Sequence, residues 1–200
     1  MRSRGGGSST TGSGRTITSG LQTRSPPCVR TTAIERPTHL PHASRGARRI
    51  VRLAPWAYFD TSVLLKRYVR EAGSAQARAS LRRYRFLSSA ITPVETMSAL
   101  CRRRTSGELT EDDFAAILSR IRKDRSYWEL VAVTPLVLTN AEGLIQTTGV
   151  KTLDALHLAS VQAFQAMSGI RIPFITADIR QRDAASRLDL TVVGIDSSRE

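Results

Sequence analysis

The stretch AYFDTSVLLKRY, Ala57 to Tyr68, sets three strand-forming residues, Ala57, Tyr58 and Phe59, directly before a carboxylate, two hydroxyls and the apolar run Val63-Leu64-Leu65. It reads as a buried strand that gives way to a helix at Asp60. A lone Asp at such a point is ordinary, because its side chain caps a helix N-terminus. It becomes informative when other carboxylates stand at equivalent junctions, so the junctions farther along the chain decide between a cap and a site.

From Pro55 onward, strand-like and helix-like segments alternate. Strands are predicted at 56–60, 86–90, 129–133, 172–176 and 190–194, and helices at 62–70, 74–84, 93–106, 111–126, 137–147, 153–168 and 179–187. Alternation of this kind implies βαβ units and a parallel sheet. In TEDDFAAILSRIRK, Phe114, Ile117, Leu118 and Ile121 fall on one helical face, and Thr110 with Asp113 makes a capping-box-like start. LDALHLASVQAFQAM is apolar on most sides, which predicts a largely buried helix. Gly107, Gly149 and Gly169 suit helix ends.

The first 54 residues differ in kind. MRSRGGGSSTTGSGRTITSG is low-complexity, and Pro, Ser, Thr and Arg continue to about Ala54. Such a segment cannot bury enough apolar surface to offset its ordering entropy, so 1–54 is expected to be a disordered basic tail ahead of a globular domain at 55–200. Three origins stay open for it: a native tail, a mitochondrial-type transit segment, or sequence upstream of the true start, with Val51 as a candidate initiation codon. The chain's net charge of +13 suggests an anionic partner. Residues 1–55 hold ten Arg and one acid, however, which leaves 20 basic and 16 acidic residues in 56–200. The globular part is therefore only mildly basic. Cys28 and Cys101 give no disulfide framework or zinc-ligand spacing, and a reducing, cytoplasmic setting fits. Arg48-Arg49 is similar to a twin-Arg signal, but no adequate apolar stretch follows. No apolar run approaches the ~18 residues that span a bilayer, so no membrane association is expected.

Four carboxylates sit at helix starts or strand ends: Asp60 after the first strand, Glu95 in ITPVETMSAL, Asp154 in KTLDALHLAS and Asp178 in PFITADIRQ. Each has a structural reading. Asp60 and Asp178 can be N-caps, Thr92-Pro93-Val94-Glu95 can be a capping box, and Asp154 can complement a helix dipole. Together they say more. In an open parallel sheet, helix N-termini and strand C-termini share one edge, where ligands bind. Four unpaired carboxylates there would repel and raise one another's pKa values. A divalent cation relieves that directly, and hard oxygen ligands suit Mg²⁺ or Mn²⁺. Such a metal can activate water for phosphodiester hydrolysis.

From about Ala57 to Asp196 the chain resembles the PIN domain, in particular the VapC-type toxin ribonucleases of bacterial toxin–antitoxin pairs. FDTSVLLKRYVREAGS, SSAITPVETMSALCRRRTSGELT, TLDALHLAS and FITADIRQRDAA occur in the family's order and near its usual spacing. The resemblance implies an α/β fold, a three-layer α/β/α sandwich around a central parallel sheet. It also implies a Mg²⁺- or Mn²⁺-dependent endoribonuclease that acts on RNA and is restrained by a cognate antitoxin; a homodimer is expected. Asp60, Glu95, Asp154 and Asp178 match the family's acidic site. Thr176 matches the Thr before the last Asp, and Thr61 and Ser62 match the hydroxyls after the first. Asp189 stands where a Gly is usual in its turn, and Asp183 has no counterpart, so it reads as surface charge.

Apart from the resemblance, Asp60 at a strand end is the best-fixed candidate ligand. Asp154 and Asp178 would complete direct or water-mediated coordination, and Glu95 could hold a water or orient a second ion. Thr176, Thr61 and Ser62 could orient carboxylates. The attacking group is expected to be water, since no Ser-His or Cys-His constellation is visible. His157 reads as a hydrogen-bonded packing residue, with a phosphate contact as the alternative. Arg102 lies seven residues past Glu95, about two turns on a similar face, and is a candidate RNA contact. Tyr127 and Trp128 are expected in the core rather than stacked on a base. The competing functions are a DNA-directed nuclease, for which the chain lacks duplex-binding parts, and a non-catalytic RNA-binding or regulatory module, against which the full acid set argues.

Overall fold

Ala57, Tyr58 and Phe59 are wholly buried, a pattern that a strand covered on both faces produces. The computed structural model, which describes residues 54–196, places them in β1 (Trp56–Phe59) at the centre of a five-stranded sheet. Its other strands are β2 (Arg85–Ser89), β3 (Glu129–Val131), β4 (Phe174–Thr176) and β5 (Val192–Gly194). The order is β3-β2-β1-β4-β5 and every pairing is parallel, with Tyr58 beside Leu87 on one side and Phe174 on the other. The helices are α1 (Thr61–Tyr68), α2 (Ser74–Arg83), α3 (Thr92–Thr105), α4 (Glu111–Asp124), α5 (Pro135–Thr148), α6 (Thr152–Ser168) and α7 (Ile179–Arg187). All the expected strands and helices are present, with ends displaced by two residues or fewer. The expectation for the tail lies outside the described residues, Ala54 aside. No described helix is long and apolar enough to cross a membrane.

Alternation along the strands builds the three layers. Tyr58, Leu87 and Phe174 point to the face packed by α5, α6 and α7, where Leu158, Ala159, Val161 and Ala184 are buried. Ala57, Phe59 and Ile175 point to the opposite face, packed by Val63 of α1 and Ala77 of α2. On that side Leu64 and Leu65 continue into a cluster with Ala99 and Leu100 of α3 and Phe114, Ile117 and Ile121 of α4. The single face read from the sequence of α4 is thus its buried face, and its capping box from Thr110 to Asp113 is formed.

Two local expectations are corrected. The capping box at Thr92–Glu95 does not form: the helix begins at Thr92, its cap position is Ile91, and no side chain caps it. Thr92 Oγ1 instead meets Ser88 Oγ at 2.6 Å, and Glu95 is drawn away to other partners. Tyr127 is not in the core, being 80% exposed at the turn before β3, whereas Trp128 is half-buried against Phe86. Asp189 keeps the left-handed backbone that a Gly would give its turn, at φ 56°, and pairs with Arg171. Asp tolerates that conformation better than most residues.

Gly73, with φ 78° at the start of α2, carries a tighter constraint. A Cβ there would strike the carbonyl oxygen of Asp196 and stand 2.9 Å from Ile195 Cγ2. Gly107 has the same φ but nothing within 4 Å of its Cβ position. Gly73→Ala is expected to cost about 2–4 kcal/mol, summing left-handed strain and overpacking, and Gly107→Ala only about 1–2 kcal/mol. Urea unfolding of both variants checks this; equal losses would mean that the contact with Ile195 and Asp196 contributes nothing.

Candidate active site

The strand order reverses between β1 and β4. The chain runs outward through β2 and β3, then returns to place β4 on the other side of β1. The helices that follow, α1 and α7, pack on opposite faces of the sheet. A crevice therefore opens at the carboxyl ends of β1 and β4, the place where open α/β sheets bind ligands. Asp60 follows β1 and Asp178 lies two residues past β4, one on each side of this opening. Glu95 enters from the first turn of α3 and Asp154 from the first turn of α6.

Asp60 is held most firmly, at 6% exposure. Its Oδ2 accepts from the Ser62 backbone N–H at 3.2 Å and from the Ser62 hydroxyl, and it faces Thr176 Oγ1 at 3.3 Å. Ser62 Oγ in turn accepts from the Ala177 N–H, tying the end of β1 to the end of β4. Thr176 Oγ1 accepts from the Asp178 N–H at 3.0 Å and lies 2.8 Å from Gln181 Oε1, while Gln181 Nε2 is buried without a partner. Turning that amide over lets Nε2 donate to Thr176 and frees the Thr176 proton for Asp60. Asp178 Oδ1 caps α7, accepting from the N–H groups of Arg180 and Gln181 at 2.8 and 3.1 Å. The cap and site readings of Asp60 and Asp178 are thus compatible, since capping uses one carboxylate oxygen and leaves the other.

Glu95 and Asp154 contrast. Glu95 Oε2 accepts from Thr61 Oγ1 at 2.6 Å and lies 2.7 Å from His157 Nε2. Burial pushes the Glu95 carboxyl up, but the His157 hydrogen bond and charge, with the Thr61 bond, outweigh it and hold it below the usual range. For His157, burial pulls the pKa down; the bond to Glu95 and the charges of Asp60, Glu95 and Asp154 more than offset it, so it stands above the ordinary value. Asp154 accepts no hydrogen bond among the described residues. Burial, then the charges of Asp178 and Asp60, raise its pKa against the weaker pull of His157 and Lys151. The four acids thus feel one another, directly or through His157, as the junction argument requires.

The donor set fits a hard divalent cation. Asp60 Oδ1, Asp178 Oδ2 and both Asp154 oxygens are oxygen donors that no hydrogen-bond donor of the described residues occupies, and Oδ1 of Asp60 stands 3.5 Å from His157 Nε2. No group of three or more His, Cys, Asp or Glu side chains stands at direct ligand spacing among the described residues. A cation here would keep part of its water shell, as Mg²⁺ usually does. Arg102 bonds Ser98 at 2.7 Å and lines, with Glu95, Val94 and Leu153, a hollow of about 400 Å³ beside the acids. Asp183 is exposed, as expected of surface charge.

The PIN domain profile matches residues 57–186, more than half of the chain. This chain belongs to the PIN domain family. PIN domains are in general nucleases, and they usually use divalent metals. Among solved structures, a toxin–antitoxin complex from Klebsiella pneumoniae is 20% identical over 70% of this chain and 98% of the matched chain, with a TM-score of 0.50. A protein from Pyrobaculum aerophilum is 19% identical over 66% and 80% of the two chains, with a TM-score of 0.46. No curated protein matches the chain.

In this PIN domain, His157 and Tyr58 are the residues that sequence reasoning left outside the site. His157 is hydrogen-bonded and 1% exposed, too deep to touch a phosphate, yet its partners are Glu95, Thr61 and Tyr58 rather than core backbone. The signal was the spacing. His157 lies three residues past Asp154 on one helix face, and Tyr58 lies two before Asp60 on one strand face.

An acid whose pKa rises on folding contributes stability that is complete below its unfolded pKa and is lost as pH rises through the folded value. Ionised Asp154 therefore strains the cation-free PIN fold at neutral pH. Asp154→Asn is expected to stabilise it in chelator at pH 7 by roughly 0.5–2 kcal/mol, the common size of a stabilising substitution. The advantage should shrink as pH falls below the ordinary Asp range. Thermal melts over this pH span check it; a less stable variant would mark Asp154 as a helix-dipole residue.

Proposed function

We propose that this chain is a Mg²⁺- or Mn²⁺-dependent endoribonuclease and the toxin of a toxin–antitoxin pair. The observation that carries this reading is the convergence of Asp60, Asp154 and Asp178 on one crevice, each with an unbonded carboxylate oxygen among the described residues, next to the hollow that Arg102 lines. The bound cation would supply positive charge that acidifies a water and screens the charge developing on a phosphodiester. Asp60, fixed by Ser62 and Thr176, would hold it through Oδ1. Asp178 and Asp154 would complete the set, Asp154 directly or through water. Glu95 would accept a proton-bearing water through its free Oε1. No described Ser-His or Cys-His pair offers a protein nucleophile, and in this proposal water, its proton passing to Glu95, would attack phosphorus. The P–O3′ bond would then break and the departing oxygen take a proton from solvent water, leaving a 5′-phosphate and a 3′-hydroxyl.

The mildly basic domain and exposed Arg102 favour a polyanion as substrate. The fold likeness to a chain from a toxin–antitoxin complex supports an antitoxin partner. Such a partner would place an Arg at the acids, since a guanidinium fork suits carboxylates. Leu136, exposed on α5, offers an apolar contact for a homodimer.

The purified chain is expected to cut RNA only with Mg²⁺ or Mn²⁺, and Asp60→Asn to lose at least ~100-fold in kcat, about 2.7 kcal/mol of transition-state stabilisation. Cleavage of total RNA with end-group mapping, in cation and in chelator, checks this. Undiminished cutting in chelator or by Asp60→Asn would overturn the metal reading, and cleavage confined to DNA the RNA reading.

A further inference from the structure

One buried ring joins three elements of the site. His157 of α6 is 1% exposed. Its Nδ1 lies 3.0 Å from the Tyr58 hydroxyl on β1, and its Nε2 lies 2.7 Å from Glu95 Oε2 on α3 and 3.2 Å from Thr61 Oγ1 on α1. The direction of each bond follows from counting protons. Thr61 gives its hydroxyl proton to Glu95 at 2.6 Å, so its oxygen faces Nε2 as an acceptor. Nε2 must then carry the hydrogen, which it donates to Glu95. Burial pushes the Tyr58 phenol far up, so it remains an O–H group. That hydroxyl donates to Nδ1 of a neutral ring or accepts from a charged one. In either form of the imidazole, Nε2–H points at Glu95.

Glu95 Oε2 therefore has two short donors and is committed, while Oε1 has none among the described residues. Asp60 and Asp178 are also bound through a single oxygen, by Ser62 and Thr176 and by the start of α7, and Asp154 accepts no bond among the described residues. What sets Glu95 apart is its place: of the four acids it is the one that lines the hollow with Arg102 and Leu153, whereas the charges of Asp60 and Asp178 act on Asp154. The site thus divides into three acids that share a space and one that is drawn aside. A carboxylate bound by two donors through a single oxygen is also fixed in rotation, which is what a group acting on one water needs.

We propose that His157, backed by Tyr58, is a positioning residue: it holds Glu95 through Oε2, so that Glu95 works on a water through Oε1 and does not ligate the cation held by Asp60, Asp154 and Asp178. This assignment rests on the hydrolytic reading above. It assigns roles to a His and a Tyr that otherwise count as packing.

The test compares full-length wild type, His157→Leu, His157→Gln, Tyr58→Phe, Glu95→Gln and the Glu95→Gln/His157→Leu double variant on one RNA oligonucleotide. Mn²⁺ affinity is followed by electron paramagnetic resonance and unfolding by thermal melts in chelator. His157→Leu should lower kcat about 10–100-fold, the usual cost of removing a group that orients a site carboxylate. KM and the Mn²⁺ dissociation constant should stay within about threefold of wild type, since no inner ligand is lost. His157→Gln, whose amide can reach Glu95 in place of Nε2, should recover most of the loss. Tyr58→Phe should lose less than His157→Leu, and both of these milder variants serve if His157→Leu does not fold. In the Glu95→Gln background, His157→Leu should cost little more, because the two act as a unit. Equal costs of His157→Leu with and without Glu95 would reduce His157 to a core residue. A tenfold or greater loss of Mn²⁺ affinity in His157→Leu would make Glu95 a ligand; either result overturns the proposal. If wild type shows no cation-dependent cleavage, the hydrolytic reading fails separately. The melts in chelator then decide: coupling between Glu95→Gln and His157→Leu supports the hold on Glu95, and additivity overturns it.

Discussion

Repulsion among carboxylates at one edge of the sheet is the constraint that the rest of this molecule is arranged around. A parallel sheet with the order β3-β2-β1-β4-β5 brings the ends of β1 and β4 together and sends α1 and α7 apart. That gap receives Asp60, Asp154 and Asp178. Their charges oppose folding, and the fold meets them with fixed dipoles: the N-termini of α1 and α7, the hydroxyls of Ser62 and Thr176, and the imidazole of His157. The burial of Ala57, Tyr58 and Phe59 in β1 makes this tenable, because a strand packed on both faces keeps Asp60 in place against the push of its neighbours.

What the sequence made legible follows from how local each signal is. The strands and helices were readable because hydrophobic periodicity and end signals such as Thr110, Thr134 and Gly169 act within a few residues. The acids were readable because a parallel sheet turns separate junctions into one edge. The capping box at Thr92–Glu95 was misread because a local pattern met stronger distant partners: Ser88 took Thr92, and Thr61 with His157 took Glu95. The membership of His157 and Tyr58 stayed hidden for the same reason, as their partners lie 62 and 99 residues away along the chain. Tyr127 reads inward from the sequence, but its place on a short turn of 3-10 helix carries it out.

The same geometry separates two jobs that carboxylates do at helix starts. Asp60 and Asp178 cap α1 and α7 with one oxygen and face the crevice with the other. A substitution that kept only the cap, or only the charge, would satisfy half of what the position asks. Asp154 has no such second employment, so its cost to the cation-free fold is not offset locally, and it is the residue at which binding and stability pull hardest against each other.

Gln76 fastens the end of the described chain: its Nε2 donates to the Gly194 carbonyl and its Oε1 accepts from the Asp196 N–H, while Gly73 makes room beside them. Because β5 is parallel to its neighbours, this anchor lies on the same edge as Asp178, which shares a hollow of about 460 Å³ with Ile195 and Asp196. Trp56, where β1 begins, lies at the opposite edge. A reporter or affinity handle fused behind Asp196 would start out at the mouth of the crevice and crowd whatever enters it. The same handle joined ahead of Trp56 would start out a full strand's length away.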